Sequence, residues 1–262
     1  MSSYRMKSWE ELTICDDYMF KLIMSRKRIC KKVLERILHV EISDIHYLEA
    51  EKPMKPSYRS KGVRLDVYVR DDAHTVYNIE MQVRQPEGDG LAKRTRYYQS
   101  MIDADLLAAG ADYDELNQTI IIFICPFDPF GKDRFIYTFE NLCREDTSLL
   151  LRDGAQKIFL NTKGTAGDIS DALKAFLGYV DGVLSGDALV QEIEDERRVE
   201  GRYVRRAYGG AERRTQGRHK GRTKGRTQRG HKGRAQGRHK GRCTTRSGGK
   251  SSLSYYKTKT FC

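Results

Sequence analysis

The sequence predicts an α/β domain built on a mixed central sheet flanked by helices, followed by a basic C-terminal tail without packed structure. Three observations carry this. Two consecutive segments between residues 62 and 83 alternate apolar and polar side chains with the period of a strand. Thr119–Cys125 is a continuous apolar run of the kind found in a strand buried on both faces. Amphipathic helical stripes precede and follow these segments, the order expected of a sheet covered by helices.

Taken in chain order, residues 17–38 read as a helix in two pieces. Phe20, Ile23 and Met24 form one stripe, and Cys30, Val33, Leu34, Ile37 and Leu38 form another at helical spacing. Ser25 and the bases Arg26-Lys27-Arg28 mark the break. A short strand follows, roughly Ile42 to Glu49, and Pro53 and Pro56 punctuate a loop. Gly62 to Arg70 then alternates, with Val63, Leu65, Val67 and Val69 on one face and Arg64, Asp66 and Tyr68 on the other. Beyond the turn Asp71-Asp72-Ala73-His74, Ile79, Met81 and Val83 oppose Asn78, Glu80 and Gln82. Leu91 to Ala109 reads as a long helix closed by Gly110. The run Thr119–Cys125 leads into a rigid aromatic loop, Pro126 to Gly131. Its two readings are a cap on the core and a wedge inserted into nucleic acid. Further strands are expected near Phe135–Phe139 and Lys157–Leu160, and a helix over Ile169 to Val183.

The two alternating strands carry the candidate chemistry. So short a turn pairs them antiparallel, and a register centred on Ala73 keeps the apolar faces together. That register sets Asp66 opposite Glu80 and Arg64 opposite Gln82. Opposed carboxylates at ~5 Å repel unless something positive lies between them. A divalent cation with oxygen ligands such as Mg²⁺ would resolve the repulsion; a solvated polar face is the plainer reading of the same alternation.

Composition narrows the classes. Of 48 Lys and Arg and 36 Asp and Glu, residues 197–262 hold 22 bases and two acids, leaving 26 bases against 34 acids in residues 1–196. An acidic body thus precedes a strongly basic tail, and a polyanion-binding argument applies to the tail alone. Six scattered cysteines without a CxxC point to reduced thiols and a cytoplasmic location. No apolar run approaches the ~20 residues of a membrane span, so no membrane partner is expected.

Five stretches then carry a resemblance: Asp16-Asp17-Tyr18-Met19-Phe20-Lys21, Lys61 to Val69, Tyr77 to Gln82, Arg94 to Gln99, and Phe123 to Gly131. Residues of about 15–165 resemble the recombination-promoting nuclease and transposase branch of the PD-(D/E)xK superfamily. The resemblance implies a restriction-endonuclease-like core and Mg²⁺-dependent hydrolysis of DNA phosphodiesters, with Mn²⁺ able to substitute. Asp66 and Glu80 would hold the metal, which polarises the scissile phosphate and lowers the pKa of a bound water. Asp17 would be a third acid, or else a helix-start acid favoured by the dipole. Gln82 stands where the superfamily pattern has Lys; it can hydrogen-bond a water but carries no charge and is no base near neutral pH. Arg64, or a base from the following helix, would supply the missing charge. Arg94 and Tyr98, four apart on that helix, would contact DNA, or else form a solvated or packing pair.

The domains expected are a nuclease-like core over 1–165, C-terminal helices over 166–196 and the tail over 197–262. Residues 217–242 repeat with a period of four, GRHK-GRTK-GRTQ, which implies a tandem repeat of four codons. Chains of the resembling family often end in Gly/Arg repeats that also carry Glu. Its loss beyond Glu212 suggests a frame slip within residues 197–216. Two further functions stay open: a non-catalytic DNA-binding relic of the nuclease fold, and a protein that binds RNA or another polyanion through the tail.

Overall fold

The computed structural model describes residues 7–48 and 61–222, and side chains as far as residue 207. Pro53 and Pro56 lie outside the described residues. The chain divides into two units, Met1–Val199 and Glu200–Cys262.

In the first unit six strands form one mixed sheet in the order β1-β2-β3-β4-β6-β5. They are β1 (Ile45–Tyr47), β2 (Val67–Asp71), β3 (Val76–Met81), β4 (Thr119–Cys125), β5 (Ile136–Phe139) and β6 (Ala155–Asn161). The helices are α1 (Asp17–Met24), α2 (Lys27–Leu38), α3 (Gly90–Leu106), α4 (Asp171–Val180) and α5 (Ala188–Arg222). Pairings β1–β2, β2–β3 and β5–β6 are antiparallel, while β3–β4 and β4–β6 are parallel.

The first helical stretch breaks where the sequence indicates. Ser25 turns its hydroxyl back onto the Leu22 carbonyl at 2.7 Å, and Arg26 is extended before α2 begins. His39 then closes α2 in the left-handed region at φ 55°. The hairpin between β2 and β3 is closed by Asp71, whose carboxylate accepts from the Thr75 amide at 2.8 Å and the Tyr77 hydroxyl at 2.6 Å. His74 supplies the left-handed residue at φ 65°.

β4 shows why its sequence has no alternation. Ile120, Ile122 and Ile124 face one core, and Ile121, Phe123 and Cys125 face another. The first core lies under α1, α2, α4 and the first turns of α5, through Phe20, Val33, Leu34, Phe176, Leu177 and Ile193. The second lies under α3, through Leu91, Tyr98, Met101 and Ile102. Each such fully buried side chain contributes roughly 1.5–3 kcal/mol.

One predicted strand is shorter than its pattern. Val63 and Leu65 were expected on the same face as Val67 and Val69. They pack instead into the second core with Tyr68, while Val67 and Val69 serve the first. The chain bends at Asp66, and the alternation changes phase there. The aromatic loop is a cap on the second core rather than a wedge. Asp128 accepts from the amides of Phe130 (3.0 Å) and Asp133 (2.7 Å) and from the Tyr137 hydroxyl (2.7 Å). So held, the Phe130 ring stacks edge-on against Tyr137 and Phe159 at 4.9 and 5.0 Å.

Residues 197–222, expected to lack packed structure, continue helix α5, and residues 223–262 lie outside the described residues. The residues entering that stretch are good helix formers. Arg197 and Arg198 pair one turn back with Glu194 (2.8 Å) and Asp195 (3.2 Å). No helix among the described residues is long and apolar enough to cross a membrane.

Candidate active site

Asp66 and Glu80 meet at the bend that precedes β2. The β2–β3 register is centred on Ala73, with Val69 against Tyr77 and Val67 against Ile79. Asp66 is the next residue out and reaches Glu80 through its main chain: its amide donates to Glu80 Oε1 at 3.0 Å. A carboxylate takes the place of a ladder carbonyl, which is why regular pairing stops there.

Glu80 is almost wholly buried, its side chain 1% exposed, and both of its oxygens are engaged. With the Asn78 amide turned to suit its neighbours, its nitrogen donates to Oε1 at 3.1 Å alongside the Asp66 amide. Oε2 accepts from Arg94 Nη2 at 2.8 Å and, more distantly, from the Tyr98 hydroxyl at 3.5 Å. Burial first, and then the negative charge of Asp66, push the Glu80 carboxyl up to about 8, against the opposing pull of Arg94. Asp66 is raised as well, by burial, although Lys21 counters it.

Two helices bring a cation to each acid. From α3, Arg94 donates to Glu80, to Gln82 Oε1 at 2.6 Å and to the Tyr98 hydroxyl at 2.7 Å. Its guanidinium lies over the rings of Tyr98 and Phe123 at 4.9 and 5.3 Å. From α1, Lys21 reaches Asp66 Oδ1 at 3.1 Å and Asp17 Oδ1 at 2.5 Å. Burial works against the Lys21 charge, but the hydrogen bond to Asp17 and the charge of Asp66 outweigh it and raise its pKa. Both cations therefore stay charged near neutral pH.

The structure brings together Asp66, Glu80, Gln82, Arg94 and Tyr98, and corrects the placement of Arg64. Arg64 is exposed and outside β2, so the cation on Gln82 is Arg94. Arg94 and Tyr98 turn inward onto Glu80, a packed pair beside the acids rather than a solvated one. Asp17, 60% exposed at the start of α1, is linked to the acid pair, among the described residues, through Lys21. Gln82 is engaged at both ends of its amide, by Arg94 and by the Arg84 carbonyl. Lys21 was missed in the sequence. Its signal is the Asp17/Lys21 spacing of four on a helix whose opposite face is core.

The oxygens of Asp66 and Glu80 are the hard donors that Mg²⁺ takes, and Mg²⁺ commonly binds through one or two carboxylates with water completing its shell. No group of three or more His, Cys, Asp or Glu residues is assembled for a metal among the described residues. The pair fits such an ion on one condition: a side-chain cation must give way.

Residues 14–167, a stretch containing the whole sheet and every residue of this cluster, match the family model described as PD-(D/E)XK nuclease family transposase. The chain belongs to this family. Membership points to a nuclease- or transposase-related function, and the mixed six-stranded sheet with its flanking helices is the family's α/β domain in this protein. No curated protein and no solved structure matches the chain.

Proposed function

We propose that this PD-(D/E)XK domain is a Mg²⁺-dependent DNA endonuclease acting in recombination or transposition, with Asp66 and Glu80 as its metal-binding acids. The observation that carries the reading is the pair itself. Two carboxylates joined through a main-chain hydrogen bond, Glu80 buried and Asp66 half-buried, are both pushed toward protonation inside the segment that matches the family. A dication would neutralise both acids, polarise a phosphate and generate hydroxide from its bound water. The chain's own groups do the positioning. Asn78 and the Asp66 amide fix Glu80 Oε1, the Met81 amide approaches Asp66 Oδ2 at 3.4 Å, and Arg94 holds Gln82. Free thiols at Cys15, Cys30, Cys125 and Cys143 suit a reducing cytoplasm.

The test is nicking of supercoiled plasmid with Mg²⁺ or Mn²⁺, abolished by Asp66→Asn and by Glu80→Gln in folded protein. A second reading, a DNA-binding relic of the fold, is favoured by one observation: Lys21 and Arg94 already neutralise both acids. Plasmid that stays intact in Mg²⁺ while DNA binding persists decides for the relic. The basic C-terminal segment would add polyanion affinity in either case, RNA included.

A further inference from the structure

Four carboxylate oxygens make up the acid pair, and their partners are unequal. Glu80 Oε1 accepts from two amides, and Glu80 Oε2 from a guanidinium and a phenol. Asp66 Oδ2 lies toward the Met81 amide. Among the described residues, Asp66 Oδ1 alone of the four is held only by a flexible side chain, the ammonium of Lys21 at 3.1 Å. Arg94 is fixed by three hydrogen bonds and two aromatic faces, whereas Lys21 has the two carboxylates and a four-carbon stem. An incoming dication therefore approaches the acid pair most readily at Asp66 Oδ1, the place Lys21 fills.

The displaced ammonium would not leave the site. Asp17 holds it at 2.5 Å from the exposed start of α1, one helical turn away. A phosphate that ligates the metal on Asp66 then arrives beside a lysine that has just lost its partner.

We propose that Lys21 is a substrate-phosphate ligand, exchanged from Asp66 to DNA when a divalent cation binds. The proposal rests on the metal reading of Asp66 given above. It makes metal binding and DNA binding interdependent through one side chain. In the metal-free protein Lys21 competes with the ion; in the metal-bound protein it adds a contact to the DNA backbone.

The test uses the full chain and two readouts other than cleavage. Mn²⁺ binding is measured by electron paramagnetic resonance without DNA, and duplex binding by fluorescence anisotropy in EDTA and in Ca²⁺ across a salt series. Lys21→Met should bind Mn²⁺ several-fold more tightly than wild type. It should lose most of the Ca²⁺-dependent gain in DNA affinity, with a salt slope in Ca²⁺ shallower by about one phosphate contact, ~0.9 in log–log terms. Lys21→Arg should restore the DNA gain. Asp17→Asn should weaken that gain while leaving Mn²⁺ bound. A lysine that merely props the fold would lower both affinities when removed, and that result overturns the proposal. So does a Lys21→Met protein with the full Ca²⁺-dependent gain, or a wild type with none. Plasmid nicking by wild type and Asp66→Asn is run alongside. Nicking by wild type alone leaves the nuclease reading standing whatever Lys21 does. Nicking by neither, with no Mn²⁺ bound, removes that reading and the Lys21 exchange with it.

Discussion

The Asp66 amide donates to Glu80 Oε1 at 3.0 Å, so the two acids are tied through the main chain of one and the side chain of the other. Moving either acid disturbs the other, and their titrations are linked.

Stability should fall as pH rises from about 5 to 9. Glu80 has a folded pKa of about 8 against an ordinary 4.5, so the native protein holds a proton that the unfolded chain has released. The sign follows from linkage: this contribution is fully present below about 4.5 and is lost as pH passes through about 8. Glu80→Gln should flatten the slope, and Asp66→Asn should reduce it by removing the second cause of the shift. Urea midpoints at pH 5, 7 and 9 for the three proteins measure this; equal slopes in all three would contradict it.

Arg94→Met should destabilise more at high pH than at low. Removing one partner of a buried pair costs on the order of 3–5 kcal/mol where the remaining charge cannot be neutralised. Below the Glu80 pKa the carboxyl can take up a proton instead, and the cost should shrink to that of lost packing and hydrogen bonds. Thermal melts at pH 6 and pH 9 check the difference, and an equal loss at both would show that Glu80 is not the partner that matters.

Mg²⁺ should raise the melting temperature, and more so toward pH 8, because the ion must displace the proton that the pair retains. A site binding the native state alone gains about 2.7 kcal/mol at a hundredfold excess over its dissociation constant. Asp66→Asn and Glu80→Gln should both lose this gain. A shift that survives either substitution would place the ion elsewhere.

Gly164→Ala should cost roughly 1–3 kcal/mol, with no direct bearing on metal binding. A Cβ at that position would lie 2.6 Å from both the nitrogen and the Cα of Phe135, which are backbone atoms and cannot swing aside. Unchanged stability of this variant would mean that the turn after β6 relaxes against the residue before β5 more freely than its contacts imply.

Much of this was legible in the sequence for a simple reason: period-two and period-3.6 patterns report which faces are buried. The break at Ser25, the run of β4 and the register centred on Ala73 all follow from that rule. The phase change at Asp66 does not, because it depends on a carboxylate fourteen residues away capturing a main-chain amide. Nor were the cations on the acids legible as such. A guanidinium spaced four residues from a tyrosine reads equally as a surface pair or a buried one, and only packing against Phe123 decides between them. The continuation of α5 past residue 197 runs against its glycines and like charges, which in sequence argue for an unpacked chain.

The two faces of the sheet are covered unequally, by four helical segments on one side and by α3 alone on the other. The face with the single helix is the one that carries Glu80, with Gln82 just past the end of β3 and Arg94 on the covering helix itself. Lifting α3 would therefore expose the reactive groups while the larger core stayed closed, an opening cheaper than global unfolding. Amide exchange along α3 should then be faster than along α2 or β4. The same asymmetry leaves room for change: the candidate site sits on the face whose covering can be altered while the larger core stays packed.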